Sequence, residues 1–424
     1  MINSMMHLEL FNACKIIKFQ SLMIDFMDYI TEFHYFMEDY VHTIRFYEMT
    51  ATKIRPIDST SDIKSFIACQ KHFYPGDPYF VPPIMMDRLK LLNVDKNPFF
   101  KHSRMQLFLA ERDGKIVGRI GAIVNDNHNA AHHDKVGFFG FFECENNQET
   151  ANLLFDSAKQ WLKNHGMDAM RGPANPSMND ECGLLVDGFD SSPVILMTYN
   201  PHYYQTLYEG YGLAKVKDLH AYILDQNTFV SDKMNRLVDV IRKRSEITIR
   251  EVNFKDKHAF KKDVQTLKDI YNSAWQPNWG FVKMTNEEFD FLAADLKQIA
   301  DPTYTLIAEV KGQVAGFALA LPDINQCLVH NKSGSLLGAL WHLFTKKPSI
   351  NLLRIIVLGV LPEYQKHGVD AVLYQEIGAR GLPKGIQYGE ASWILEDNEP
   401  MKKALTTTMH GSIYKTYRMY QIPV

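Results

Sequence analysis

The segment from Leu352 to Ile377, LLRIIVLGVLPEYQKHGVDAVLYQEI, constrains the fold more than any other. Six of the seven residues from Ile355 to Leu361 are apolar without alternation. That pattern predicts a strand covered on both faces, and Pro362 ends it. Gln365-Lys366-His367-Gly368 follow as a basic turn, and a helix is expected from Val369. A buried strand passing through a glycine turn into a helix implies an α/β fold with a mixed sheet. Gly368 allows a tight turn, so the amides of Lys366, His367, Gly368 and Val369 are expected to converge at the helix start. Unpaired amides, the positive end of the helix dipole and the charge of Lys366 would together hold a pyrophosphate.

The chain repeats its own pattern. Residues 106–124, QLFLAERDGKIVGRIGAIV, read as a strand, an Asp-Gly turn and a second strand, and residues 304–321, YTLIAEVKGQVAGFALAL, have the same form with Lys-Gly at the turn. Each hairpin is followed by an irregular segment, another strand (Val136 to Glu143; Leu352 to Val360) and a helix. Two tandem domains are therefore expected, 51–228 and 229–424. Residues 1–50 contain no Gly or Pro and are rich in Met, Phe and Tyr, which predicts an N-terminal helical extension. Either it contacts a membrane or partner, or the natural start is Met49, just before a first strand at Thr52 to Ile57.

Composition narrows the function classes. The 424 residues suit two domains plus an extension, and 46% apolar with 22% charged residues describes a globular chain. A net charge of −3 offers no general attraction to nucleic acid. Cysteines at 14, 69, 144, 182 and 327 show no Cys-x-x-Cys spacing, so neither a disulfide framework nor a zinc knuckle is expected, and a reducing cytoplasm fits. No apolar run is long enough to span a bilayer, and no signal peptide is apparent.

The Gly-Val-Leu-Pro-Glu-Tyr-Gln-Lys-His-Gly run, Gly359 to Gly368, resembles the acetyl-CoA motif of the GCN5-related N-acyltransferases (GNAT), roughly Val-x-Pro-x-x-Gln/Arg-x-x-Gly-x-Gly/Ala. GEASWILEDNEP, Gly389 to Pro400, resembles the family's fifth strand and its Asn-x-x entry into the last helix, and YKTYRMYQ, Tyr414 to Gln421, its final strand. GFFGFFE, GPANPSMNDECGLLVDGF, IYNSAWQPNWGFV, LPDIN and WILEDNEPMKKAL extend the likeness over most of 53–424, to a tandem branch that includes bacterial ceramide synthases. The resemblance implies acyl-CoA as co-substrate, held by Leu358, Val360, Gln365, Lys366, His367, Gly368, Val369 and Asn398, with no metal. It implies acyl transfer to a primary amine: a sphingoid base, or a soluble amine. A non-catalytic acyl-CoA or lipid binder is the alternative. Asp370 stands where the family has Gly or Ala, and a carboxylate there repels pyrophosphate unless it turns aside.

The halves differ. After its strand the first half carries Glu143, Glu145 and Glu149 in place of the basic turn, which argues against CoA there. Its Leu207-Tyr208 matches the family's Leu-Tyr position, whose tyrosine often protonates the thiolate, whereas the second half has Leu405. A composite site follows, or a duplication with one dead copy. An attacking amine must be neutral, so a base is required. The carboxylates at strand ends are candidates: Glu143 after GFFGFF, where burial would raise its pKa, Asp323 after ALALP, and Glu390 in YGEASW. Each is equally an ordinary strand-end acid, and Tyr208 equally a core tyrosine. Backbone amides near Leu358 to Val360 are implied as the oxyanion donors, with Gly359 permitting a bulge.

Other clusters are weighed the same way. His128, His132 and His133 lack a further ligand at useful spacing and read as a solvated loop, not a metal site. The Arg171–Pro193 stretch reads as a long loop in which Asn175, Asn179, Glu181 and Asp187 either bind a polar head group or form turns. Trp275, Trp279 and Phe281 line an acyl or pantetheine channel or pack in the core. Leu336, Leu337, Leu340, Trp341 and Phe344 share a helical face beside Lys346 and Lys347, which suits peripheral membrane contact, a greasy pocket wall, or core packing.

Overall fold

The computed structural model describes Met23, Met27 and residues 29–38, 51–225, 232–276 and 278–424. Among the described residues, 54–110 with 116–225, 232–276 and 278–424 form one compact unit, and 51–53 group with 111–115. Of the expected N-terminal extension, the described residues are helical, and the rest of 1–50 lies outside the described residues.

The strands are β1 (Lys53–Ile57), β2 (Ser103–Arg112), β3 (Lys115–Asn125), β4 (Val136–Cys144), β5 (Ala169–Gly172), the short β6 (Ala174–Asn175) and β7 (Glu181–Cys182), β8 (Leu184–Asp187), β9 (Ala214–Asp225), β10 (Ile247–Glu251), β11 (Thr305–Val310), β12 (Gln313–Pro322), β13 (Leu352–Val360), β14 (Tyr388–Leu395) and β15 (Ser412–Pro423). Both predicted hairpins form, β2–β3 and β11–β12. Asp113-Gly114 and Lys311-Gly312 each hold two successive positive φ angles, 51° and 70° in one, 52° and 77° in the other. That geometry matches the twist of a two-residue hairpin.

The sheet runs β1-β2-β3-β4-β5-β15-β9-β14-β13-β12-β11-β10. The expected division at 228/229 separates the repeats in sequence, yet the sheet crosses it. β9, last in the first half, pairs with β14 of the second, while β15, last in the second, pairs with β5 of the first. The two closing strands pair with each other from Ser412↔Ile223 to Gln421↔Ala214. Each half thus contributes the strand that completes the other. Helices Gln148–Asn164 and Val369–Gly381 pack their apolar faces, including Leu154, Phe155 and Leu162 in one and Val372, Leu373 and Ile377 in the other, into two main cores.

Two expectations need correction. The segment with His128, His132 and His133 is not a loop, and although His132 and His133 are exposed as expected, His128 is not. Asp126–His132 is a short helix capped by the Asn125 side chain, and His128 is buried against Phe138. Burial, with the neighbouring His132 adding, pushes His128 down to about 3. No metal-ligating cluster occurs among the described residues. Gly359 does not make the bulge: the extra residue of β13 is Ile356, between the pairs Leu319↔Val357 and Ala320↔Ile355. Gly359 admits the Trp275 ring instead, since a Cβ there would lie 2.4 Å from Cζ3.

Exchanged closing strands couple the halves. Urea unfolding followed by probes placed in each half should give coincident midpoints, and each half expressed alone, as 51–228 or 229–424, should fail to give a cooperative transition.

Candidate active site

The parallel strands β13 and β14 pair only from Leu352↔Tyr388 to Ile355↔Ala391. Beyond that they part, and residues from both diverging ends, including Val357, Leu358 and Val360 on one and Ser392, Trp393 and Ile394 on the other, line a cavity of about 1200 Å³. The first half begins alike, with β4 and β5 paired from Val136↔Ala169 to Phe138↔Arg171. There the chain crosses closely at the start of the gap, and Phe142, Glu143 and Asn175 beyond it also line the cavity. The Asn175 carboxamide accepts from the Phe141 amide at 2.6 Å, and the backbone of Ala174 lies so close to Gly140 that a Cβ would meet its carbonyl oxygen at 1.8 Å. Phe141 has φ 54° at the bulge of β4.

The helix starts differ in the same sense. Asn147 caps helix Gln148–Asn164 by accepting from the Thr150 amide at 2.8 Å, and Glu145 takes the Thr150 hydroxyl at 3.0 Å. Helix Val369–Gly381 starts at Gly368, φ 74°, with no side-chain cap. Its first amides have no carbonyl within the helix to meet. Gln365, Lys366 and His367 are exposed on the preceding turn, and Gln365 and Asp370 line the cavity. The His367 amide is not an available donor, because it bonds the Tyr364 carbonyl at 3.0 Å. The Val369 side chain is fully buried in the core, leaving only its backbone to the helix start. Asn398 lines the cavity and caps helix Glu399–Lys403 through the Met401 amide at 3.2 Å.

The four predicted catalytic residues separate into three environments. Glu143 lines the cavity, but its carboxylate is held by Tyr204 Oη at 2.7 Å, Tyr74 Oη at 3.1 Å and Arg119 Nη2 at 3.4 Å. Burial raises its pKa against these three partners. Tyr208 also lines the cavity and meets Phe139, Phe142, Phe155 and Tyr420 edge to face. Burial, with Glu143 adding, drives its phenol well above the ordinary range. Leu405 is core.

Asp323 and Glu390 do not line the cavity; they belong to a buried network behind it. Asp323 Oδ1 accepts from the Ile195 amide at 2.9 Å and the Asn325 amide at 3.3 Å. Arg354 pairs with Glu390 at 3.6 Å, donates to Ser392 Oγ at 3.2 Å and reaches the Ile195 carbonyl. Asn325 donates to the Pro193 carbonyl at 2.9 Å. This network fastens loop 193–197 of the first half to the second. Burial pushes Asp323 up to about 7 and raises Glu390.

One carboxylate escaped the sequence reading. Asp180 lies in the Arg171–Pro193 loop, lines the cavity, and takes the Ser177 hydroxyl at 2.6 Å. Burial, with Glu181 and Glu288 adding, pushes it up to about 7. Its neighbour Glu181 is occupied by a salt bridge to Arg88 at 2.8 Å. Asn179 donates to the Val282 carbonyl at 3.0 Å and accepts from Tyr271 Oη at 3.2 Å, while His102 meets Glu288 at 3.0 Å, so first-half groups join second-half groups around the cavity. Asn175 plugs the first-half gap, and Asp187 is exposed. Trp275, Trp279 and Phe281 all line the cavity.

The chain is 34% identical to the bacterial ceramide synthase of Caulobacter vibrioides over 86% of this chain and 96% of that protein. It belongs to that family. N-acyltransferases of the tandem GNAT fold are therefore its class. It is also 32% identical to protein YghO of Escherichia coli over 87% of this chain and 94% of that one. No protein-family model matches the chain. Two solved structures share the fold at 11% identity. A tandem GNAT protein from the clavulanic acid biosynthesis pathway matches with TM-score 0.52, covering 88% of this chain and 98% of its own. A GCN5-related N-acetyltransferase from Sphaerobacter thermophilus matches with TM-score 0.50, covering 87% and 95%.

The buried network predicts a pH dependence. Asp323 keeps its proton to about 7 when folded, against 3.8 as the ordinary value. Stability from this group is fully present below the ordinary value and is lost as pH rises through about 7. Urea midpoints should fall across that window, and the fall should be smaller in Asp323→Asn, which keeps the accepting oxygen.

Proposed function

We propose that this N-acyltransferase transfers a long acyl group from acyl-CoA to the amine of a sphingoid-type base. The observation that carries the reading is the open splay between β13 and β14, whose cavity is lined by Gln365 and Asp370 on either side of the uncapped helix start, although residues 366–369 do not themselves line it. The pyrophosphate would sit at the amides of Gly368 and Val369 with Lys366 beside it, and Gln365 and Asn398 would flank the pantetheine. The pantetheine would follow the diverging edge of β13, where Leu358 and Val360 line the cavity. Phe260, Leu267, Phe289, Leu292 and Leu296 line the same cavity from two second-half helices and supply an apolar berth for the acyl chain. The Asn147 cap and the Asn175 contact with the Phe141 amide support a division of labour in which the first half shapes the acceptor side. Among the described residues no helix is long and apolar enough to cross a membrane. Cys69, Cys144, Cys182 and Cys327 are buried thiols, which suits a reducing cytoplasm.

Asp180 is the base in this reading. It lines the cavity and has a hydroxyl partner, whereas Glu143 is engaged by two phenols and a guanidinium. The acceptor's ammonium passes a proton to Asp180, and the neutral nitrogen attacks the thioester carbonyl carbon. The C–N bond forms, the C–S bond breaks, and the thiolate leaves. Of the two protons shed by the nitrogen, one returns to the thiolate and one reaches water. Asp370 lines the cavity in the helix's first turn, a position where its charge is favoured by the dipole.

Incubating the protein with long-chain acyl-CoA and a sphingoid base should release free thiol. Release only with short-chain donors and soluble amines, or acyl-CoA binding without release, would overturn the assignment. Asp180→Asn should lower kcat by about a hundredfold or more while leaving the KM for acyl-CoA nearly unchanged, and the wild-type rate should rise as pH passes through about 7. Lys366→Glu should weaken acyl-CoA binding by about tenfold, an effect that shrinks in high salt. Lys366 is a better test than Gly368, where φ is 74° and a Cβ would lie 2.9 Å from Ile241 Cγ2, so that any side chain strains the fold.

A further inference from the structure

Helix Leu336–Lys346 turns its apolar face outward. Leu337 is 81% exposed, Phe344 83%, Trp341 65% and Leu340 55%, and Ala339 is its buried residue. The spacing of Leu337, Leu340, Trp341 and Phe344 places them on one stripe. Core packing, one reading of the sequence, is therefore not what the structure shows. The helix is well anchored all the same. Ser335 caps it by accepting from the Gly338 amide at 3.1 Å, and Asn331 donates to the Ser335 carbonyl at 2.9 Å.

Charge selects the partner. No Asp or Glu occurs between Asp323 and Glu363, while Lys346 and Lys347 close the helix, in a chain of net charge −3. Arg354, within this stretch, is buried and so adds nothing to the surface. An apolar stripe carrying an interfacial Trp, bordered by lysines in a segment without acids, matches an anionic lipid surface.

Position links this face to the cavity. Lys332, in the loop that leads into the helix, donates to the carbonyls of Pro78 at 3.2 Å and Phe80 at 3.3 Å. Gly334 in the same loop lies against Pro83, whose carbonyl oxygen a Cβ would meet at 3.0 Å. Phe80, Pro82, Pro83 and Leu328 line the cavity. The outward helix thus stands on the cavity wall.

We infer that the face formed by Leu337, Leu340, Trp341 and Phe344, with Lys346 and Lys347, docks on an anionic phospholipid bilayer and brings the cavity to the surface from which a lipid amine is drawn. The docking stands on exposure and charge; its use in substrate delivery rests on the lipid-amine reading above.

Flotation of the full chain with vesicles of phosphatidylglycerol and phosphatidylcholine tests it. The protein should float with these vesicles and much less with phosphatidylcholine alone. Leu337→Glu with Phe344→Glu should reduce binding by about tenfold or more. Lys346→Gln with Lys347→Gln should reduce it about fivefold per lysine and remove most of its salt sensitivity. Thiol release with amine and donor presented in detergent should be unchanged in all these surface variants. Equal flotation of the native and doubly Glu-substituted protein, or a native dimer made monomeric by that substitution with no vesicle binding by either, would overturn the docking face. Failure of thiol release with flotation intact would instead count against the lipid-amine reading alone.

Discussion

The hydrogen-bonded ladder between β9 and β15 is the feature on which everything else rests. It sits mid-sheet and is formed by the last strand of each half, each paired on its other side with the opposite half. Neither half can complete its sheet without the other's strand, and unpaired backbone at that position would be costly. The same exchange brings loop 193–197 against Asp323 and Arg354, and loop 177–181 against Tyr271, so the cavity walls come from both halves. A buried charged network is not itself a strong source of stability. Here Arg354, Asp323 and Glu390 lie across the junction of the two repeats, which suits a role in fixing how the halves meet.

The two halves share a strand and helix pattern, and local contacts show where they differ. Both contain a parallel pair that begins to part after a few residues, and both start a helix beyond it. In the first half Asn175 occupies the Phe141 amide, the backbone of Ala174 presses on Gly140, and the Asn147 cap occupies the Thr150 amide. In the second half those donors and that space remain, and Trp275 leans over Gly359 beside them. The acidic residues after β4 and the Asn175 plug both set the first-half helix start apart from the basic, uncapped turn of the second.

Much was legible in the residues. The two hairpins, the bulk of the strand pattern and the turn around Gly368 follow from apolar runs, Gly turns and their spacing, because these are local properties of the backbone. The candidate bases were less legible. Glu143, Asp323 and Glu390 are all buried, as their apolar flanks suggest, but burial alone does not separate a group facing a cavity from one locked behind it. Asp180 carried no local signal, since a Ser-x-x-Asp loop is also an ordinary turn. The short helix around His128 was hidden for a similar reason: its Asn-rich start reads as loop until Phe138 packs against it.

By itself the sequence determined the two hairpins, the buried strand before Gly368 and which half carries a basic glycine turn, because these depend on neighbours along the chain. Only the tertiary structure decided that the closing strands are exchanged, that Asn175 plugs the first half, that Asp180 faces the cavity, and that the Leu337–Phe344 stripe points outward. Those outcomes depend on which surfaces meet at long range, and one apolar stripe or one carboxylate has the same local pattern whether it is covered or left open.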